Sequence, residues 1–134
     1  MTCGCIYIVY GDYDERYYYR RRVRPTTQGV KCSECRRALR PLEEHERVHA
    51  EWQDGPQTYR TCDDCRSIID AFFCNGFIHG TVLEDLQNHI DDMLGEISSG
   101  CIVDLTPKAR ERVCRYIEET WANLEADGFY GEDG

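Results

Sequence analysis

The sequence predicts an α+β fold, and three features carry that expectation. Two Cys-x-x-Cys pairs, Cys32/Cys35 and Cys62/Cys65, flank a segment with hairpin character, and two capped amphipathic stretches follow them. In order along the chain, Ile6-Tyr-Ile-Val-Tyr10 reads as a short strand from its β-branched and aromatic content. Residues 11–24 are dense in tyrosine and arginine (Tyr17, Tyr18, Tyr19, Arg20, Arg21, Arg22, Arg24) and read as an extended arm laid on the body. Residues 46–52 and 57–61 read as two strands, joined by the turn signal Gln53-Asp54-Gly55-Pro56.

The second cysteine pair runs into a helical stretch, Arg66 to Phe73, with Asp63 and Asp64 suited to the positive end of a helix dipole. Thr81 and Glu84 have capping-box spacing, and Val82, Leu83, Leu86, Ile90, Met93, Leu94 and Ile97 recur at helical period, with Ser98-Ser99-Gly100 as the stop. Thr106 and Pro107 open another helix. Its predicted core face is Ala109, Val113, Tyr116, Ile117, Thr120, Trp121 and Leu124.

The paired cysteines point to a metal. A dication such as Zn2+ takes four ligands at tetrahedral corners, and each Cys-x-x-Cys turn places two sulfurs on one side. A knuckle, a hairpin, then a second pair opening a helix is the order of a treble-clef module, whereas a zinc ribbon would follow its second knuckle with a strand. The expected architecture is therefore a zinc-bound treble clef over residues 28–78. It is preceded by an N-terminal strand and arm (1–27) and followed by an acidic helical hairpin (79–127) and a flexible tail (128–134). Few large apolar residues lie between Gly29 and Phe73, so metal binding is expected to supply much of the module's folding free energy. Of the five other cysteines, Cys114 reads as a small core residue. Cys3, Cys5 and Cys74, with His79 or Cys101, are candidates for a second metal site, the alternative being free or buried thiols.

The net charge of −9 is unevenly spread. Residues 1–40 hold nine Lys/Arg against four Asp/Glu, and the remainder seven against twenty-one. An acidic body repels a phosphate backbone and favours a protein partner. No stretch reaches the ~18 apolar residues of a membrane span. The N-terminal residues lack the pattern of a secretory leader, so reduced thiols and a cytoplasmic location are expected.

The chain resembles a family of small zinc-finger-like proteins of tailed bacteriophages and prophages. The resemblance rests on Cys3-Gly4-Cys5, Gly11-Asp12-Tyr13-Asp14-Glu15, Tyr17-Tyr18 and Lys31-Cys32-Ser33-Glu34-Cys35-Arg36-Arg37. It continues through Pro41-Leu42-Glu43, Trp52-Gln53-Asp54-Gly55, Thr61-Cys62-Asp63-Asp64-Cys65 and Val82-Leu83-Glu84-Asp85-Leu86. The family pattern has a glycine near Leu42 and a second cysteine close to Cys74, both absent here. The resemblance implies a phage origin and a zinc-bound core, and no particular activity.

Three functions follow as expectations. The first is non-enzymatic binding of a host protein or defence complex through acidic helix faces. Glu84, Asp85, Asp91, Asp92 and Glu96 form one face, and Glu111, Glu118, Glu119 and Glu125 the other. The second is nucleic-acid binding by Arg20, Arg21, Arg22 and Arg24, with Arg36, Arg37 and Arg40, interleaved with tyrosines that can stack on bases. The third and most remote is an HNH-like nuclease using His45, His49, Asn75 or His79. It lacks the asparagine such a site needs between the hairpin histidine and the helix. No catalytic residue and no small-molecule substrate is predicted.

Overall fold

The computed structural model describes residue 6 and residues 15–24, 29–52, 55–73 and 76–126, excepting the side chains of residues 15–18 and 52. Three antiparallel strands, β1 (Glu15–Val23), β2 (His45–Trp52) and β3 (Gly55–Thr61), form a sheet in the order β1-β2-β3. Four helices follow: α1 (Asp63–Phe72), α2 (Val82–Asp92), the single turn α3 (Ser99–Ile102) and α4 (Pro107–Ala126). Among the described residues, no helix is long and apolar enough to cross a membrane.

The hairpin β2–β3 forms where the turn signal places it, with Trp52 opposite Gly55. Pro56 is tolerated because β3 is an edge strand. The described part of the tyrosine- and arginine-rich segment is more than an arm laid on the body. It is edge strand β1, paired with β2 from Glu15↔Trp52 to Val23↔His45. Polar residues on both of its faces hide the strand period, and charge along an open edge discourages pairing with other chains. The strand expected at residues 6–10 lies outside the described residues apart from Ile6, which is buried and donates its N–H to the Phe72 carbonyl at 2.9 Å.

Two cores of unequal size result. The larger joins Ile68, Ile69 and Phe72 of α1, Val82, Leu86 and Ile90 of α2, and Val113, Tyr116 and Ile117 of α4, so the C-terminal helices share the core of α1. The smaller holds Cys32, Leu39, Cys62 and Cys65, with Val30 and Cys35 against it. One buried leucine contributes about 1.5–3 kcal/mol. Ordering backbone costs about 1–2 kcal/mol per residue, so two cysteine loops cannot be held by Leu39 alone.

Three helix signals resolve differently from expectation. Thr81 makes no side-chain cap bond, its Oγ1 donating instead to Asp85 Oδ2 at 2.9 Å. Helix α2 stops at Asp92 rather than at residue 97, because Leu94 (φ 56°) and Gly95 (φ 76°) turn left-handed. Met93, Leu94 and Trp121, read as core, are therefore exposed at the surface. Ser98 does not end a helix but starts one, its Oγ accepting from Gly100 N at 3.2 Å to cap α3.

Candidate metal centre

The first cysteine pair sits in a tight hairpin closed by Cys32 N–H to Arg37 O (2.9 Å) and Leu39 N–H to Val30 O (2.8 Å). Arg36, bonded back to Cys32 O at 3.0 Å, takes a left-handed φ of 66° that turns Cys35 toward the second pair. The second pair straddles the end of β3 and the first turn of α1. There Cys62 is the N-cap, and its Sγ accepts from Cys65 N at 3.5 Å.

All four Sγ atoms lie within 4.8 Å of one another, with Cys35 and Cys62 3.8 Å apart. Four sulfurs about 2.3 Å from a central ion at tetrahedral corners stand ~3.8 Å from each other. The site therefore has the size of a tetrathiolate metal centre and can hold a metal ion. Backbone N–H groups of Glu34 (3.4 Å) and Cys62 (3.5 Å) point at Cys32 Sγ, as donors do around metal-bound thiolates.

The electrostatics agree. Hydrogen bonds from Cys35, Cys62 and Cys65 pull the Cys32 thiol far below its ordinary range, and the contact with Cys32 pushes Cys62 and Cys65 above theirs. Without a cation, four sulfurs this close cannot all be thiolates. A bound dication lets them be, with release of protons. Four thiolates around a dication leave two negative charges. Arg112 and Arg115 of α4 line a cavity of about 190 Å3 beside Cys35 and Cys65. The Arg37 guanidinium is clamped nearby by Glu43, through bonds of 3.1 and 2.6 Å that hold the Glu43 carboxyl down to about 2.

Each residue between the paired cysteines ties the centre to a different element. Ser33 N–H donates to Arg60 O at 2.6 Å and its Oγ accepts from Arg60 N at 2.9 Å, fixing β3. Glu34 is only 8% exposed, and its two carboxylate oxygens accept from Gly80 N (2.7 Å) and Val82 N (3.1 Å). It thus caps α2, the role expected of Thr81. Asp63 pairs with Arg22 of β1 at 3.1 Å. Asp64 Oδ1 accepts from Thr106 Oγ1 at 2.6 Å, and that same oxygen of Thr106 accepts from Ala109 N at 3.3 Å, capping α4. The sequence names Thr106 as a cap but gives no sign of Glu34, because a residue within a metal loop has no spacing relation to a helix 48 positions away.

The other candidates fare variously. Cys3, Cys5, Cys74 and Asn75 lie outside the described residues. Cys101 departs from the expectation of reduced thiols, being buried and disulfide-bonded. Cys114 is free and half-buried. His79 stacks on Tyr59 (4.2 Å between centroids, 7° between planes) and edge-on to Phe77, and burial pushes its pKa down to about 4. His45 is fully buried. Arg60 Nη1 can only donate to its Nε2 (2.9 Å), so Nδ1 carries the hydrogen to Glu43 O (3.1 Å). His49 faces Glu51 at 3.4 Å.

Of the N-terminal arginines, Arg20, Arg22 and Arg24 reach Glu46, Glu44 and Asp63 within the chain, while Arg21 forms no ion pair among the described residues. Arg37 is held by Glu43, whereas Arg36 and Arg40 are exposed at the surface. Asp85 and Asp91 serve internal bonds, to Thr81 and Thr120, which leaves Glu84, Asp92 and Glu96 as the outward carboxylates of that set. Comparison with known proteins gives no match: no family model fits the sequence, and no curated protein and no solved structure is significantly similar.

Proposed function

We propose that the protein is a zinc-organised, non-catalytic binding module of the treble-clef type. The observation that carries this reading is the outward tethering of Ser33, Glu34, Asp63 and Asp64, which makes the tetrathiolate centre the junction of β1, β3, α2 and α4. Four cysteines satisfy tetrahedral zinc and leave no open position for substrate, as structural rather than catalytic sites do. The histidines support the same reading, His45 and His79 being committed to bonds and packing.

The partner is a protein with a basic surface around an apolar anchor. Met93, Leu94 and the half-exposed Trp121 form an apolar patch where α2 ends beside α4. Asp92 and Glu96 flank it on one side, and Glu118 and Glu125 flank Trp121 along its own helix face. Given the phage origin that the resemblance implies, this acidic surface is read as meeting a host protein or defence complex in the bacterial cytoplasm.

Two measurements test the proposal. Purified protein is expected to carry one zinc per chain, and chelation is expected to abolish its helical circular dichroism; a folded, metal-free protein would refute the zinc reading. Capture of a bacterial partner is expected to weaken on reversing Asp92 and Glu96 to lysine, and on Trp121→Ala, with zinc content unchanged. Undiminished capture by both would refute the acidic surface.

A further inference from the structure

We infer that the sheet face turned away from the helices binds single-stranded nucleic acid through a row of three arginines, Arg21, Arg47 and Arg60. The register puts them directly opposite one another across all three strands, Arg21↔Arg47 and Arg47↔Arg60. The opposite face holds the fully buried Val48 and Ala50 and the Tyr59 ring stacked on His79, so it is the one packed on the helices, whereas the arginine face is buried at its His45 end and exposed at Arg21, Glu51 and Thr58. Arg21 is exposed and its two neighbours are half-buried.

Like charges directly opposite in a sheet are destabilising, so a row of three requires a reason. A shortage of carboxylates is not it, since the chain carries 25 Asp and Glu. Arg20, Arg22, Arg24, Arg37 and Arg66 all have acidic partners, yet none of the three in the row pairs with a carboxylate among the described residues. Arg47 Nε is buried with no hydrogen-bond partner among the described residues. Arg60 is oriented by its bond to His45. Along β2, Glu51 lies four residues from Arg47, ~13 Å at about 3.3 Å per residue, and faces His49.

The ligand follows from this chemistry. Two strand spacings of about 4.8 Å set the row ~10 Å wide, which suits successive phosphates of a strand rather than one phosphate group. A flat face a few residues wide on an acidic body favours one strand over the wide, doubly charged duplex. This surface lies apart from the acidic patch on α2 and α4, and neither proposal depends on the other.

The test uses the whole zinc-loaded chain and fluorescein-labelled 12-nucleotide DNA and RNA strands, followed by anisotropy. Each phosphate contacted contributes a salt slope of about −0.7 for single strands, so three contacts weaken binding about 18-fold between 50 and 200 mM salt. Arg21→Gln, on the exposed edge strand, is expected to reduce that loss to about 7-fold. Arg22→Gln, whose side chain is paired with Glu44 and Asp63, is expected to keep the 18-fold loss. No binding at 50 mM salt, an unchanged slope in Arg21→Gln, equal affinity for the duplex, or equal competition by polyglutamate would each overturn the proposal.

Discussion

Removing the Glu34 carboxylate isolates the link between metal loop and helix. In Glu34→Ala, the N–H groups of Gly80 and Val82 lose their acceptors at 2.7 and 3.1 Å. A buried donor left unsatisfied costs about 1–3 kcal/mol, and loss of a helix N-cap costs about 0.5–2 kcal/mol. Part of this is offset, because burial raises the Glu34 pKa: the native carboxylate is itself poorly solvated, and the alanine variant no longer bears that cost. A net loss of about 2–3 kcal/mol is expected, some 6–10 °C in Tm for a chain of this size. Glu34→Gln keeps one accepting oxygen but turns an amide N–H toward the other donor, so it should fall between the two. Urea denaturation of the zinc-loaded protein gives the free energies, and hydrogen exchange locates the change at residues 80–86. A loss below about 0.5 kcal/mol in the alanine variant, or exchange that rises equally in all helices, would refute the capping role.

Three further outcomes follow from local geometry. The His79 pKa is depressed to about 4 chiefly by burial, so its stabilising contribution is present above pH 6.5 and lost as pH falls from 6.5 to 4; His79→Phe keeps a ring against Tyr59 and should flatten unfolding free energy over that window by at most about 3 kcal/mol, whereas an unchanged pH slope would refute the assignment. Leu42 holds a φ of 67° after Pro41, in a turn closed by Glu43 N–H to Arg40 O at 3.0 Å, and is 65% exposed; Leu42→Gly should raise stability in urea by about 1 kcal/mol, and a loss would show that the leucine packs. A Cβ on Gly95, whose φ is 76°, would clash with Trp121 Nε1, so Gly95→Ala should destabilise by about 1–2 kcal/mol and shift indole fluorescence to the red; unchanged emission would refute that contact.

The four-cysteine cluster was legible because the chemistry of a metal site fixes its spacing. A tetrahedral ion needs two close pairs, and no other common use of cysteine imposes that pattern twice. Helix α4 was legible for a similar reason, since Thr106-Pro107 carries the start in adjacent residues. Features set by tertiary contact were not. Thr81-x-x-Glu84 has the form of a capping box, yet a buried carboxylate from the metal loop occupies the amides that it would have served. The end of α2 depends on Leu94 taking a backbone conformation that leucine ordinarily avoids, so apolar periodicity ran past the true stop. Nothing in the sequence of the hairpin itself sets Arg47 and Arg60 apart. Only the pairing of β1 with β2 puts Arg21 beside them, and β1 has no clean alternation to announce itself as a strand.

The division of labour among the arginines follows from the same pairing. Arg20 and Arg22 of β1 share a face with Glu46, and Arg22 reaches Asp63 at the start of α1, so both find carboxylates supplied by the hairpin and the second cysteine loop. These exposed pairs add little stability individually, and their effect is to neutralise that face. Arg21 points the other way, where β2 and β3 offer two more arginines. Segregation by strand period therefore leaves a neutralised face and a cationic face on one small sheet, within a chain whose net charge is strongly negative. Because Ser33 and Asp63 attach that sheet to the cysteine loops at β3 and β1, the alignment of the three guanidiniums depends on the loops being closed. The cysteine loops are thus tied to the cationic face, through Ser33 and Asp63, as well as to the two capped helices, through Glu34 and Asp64.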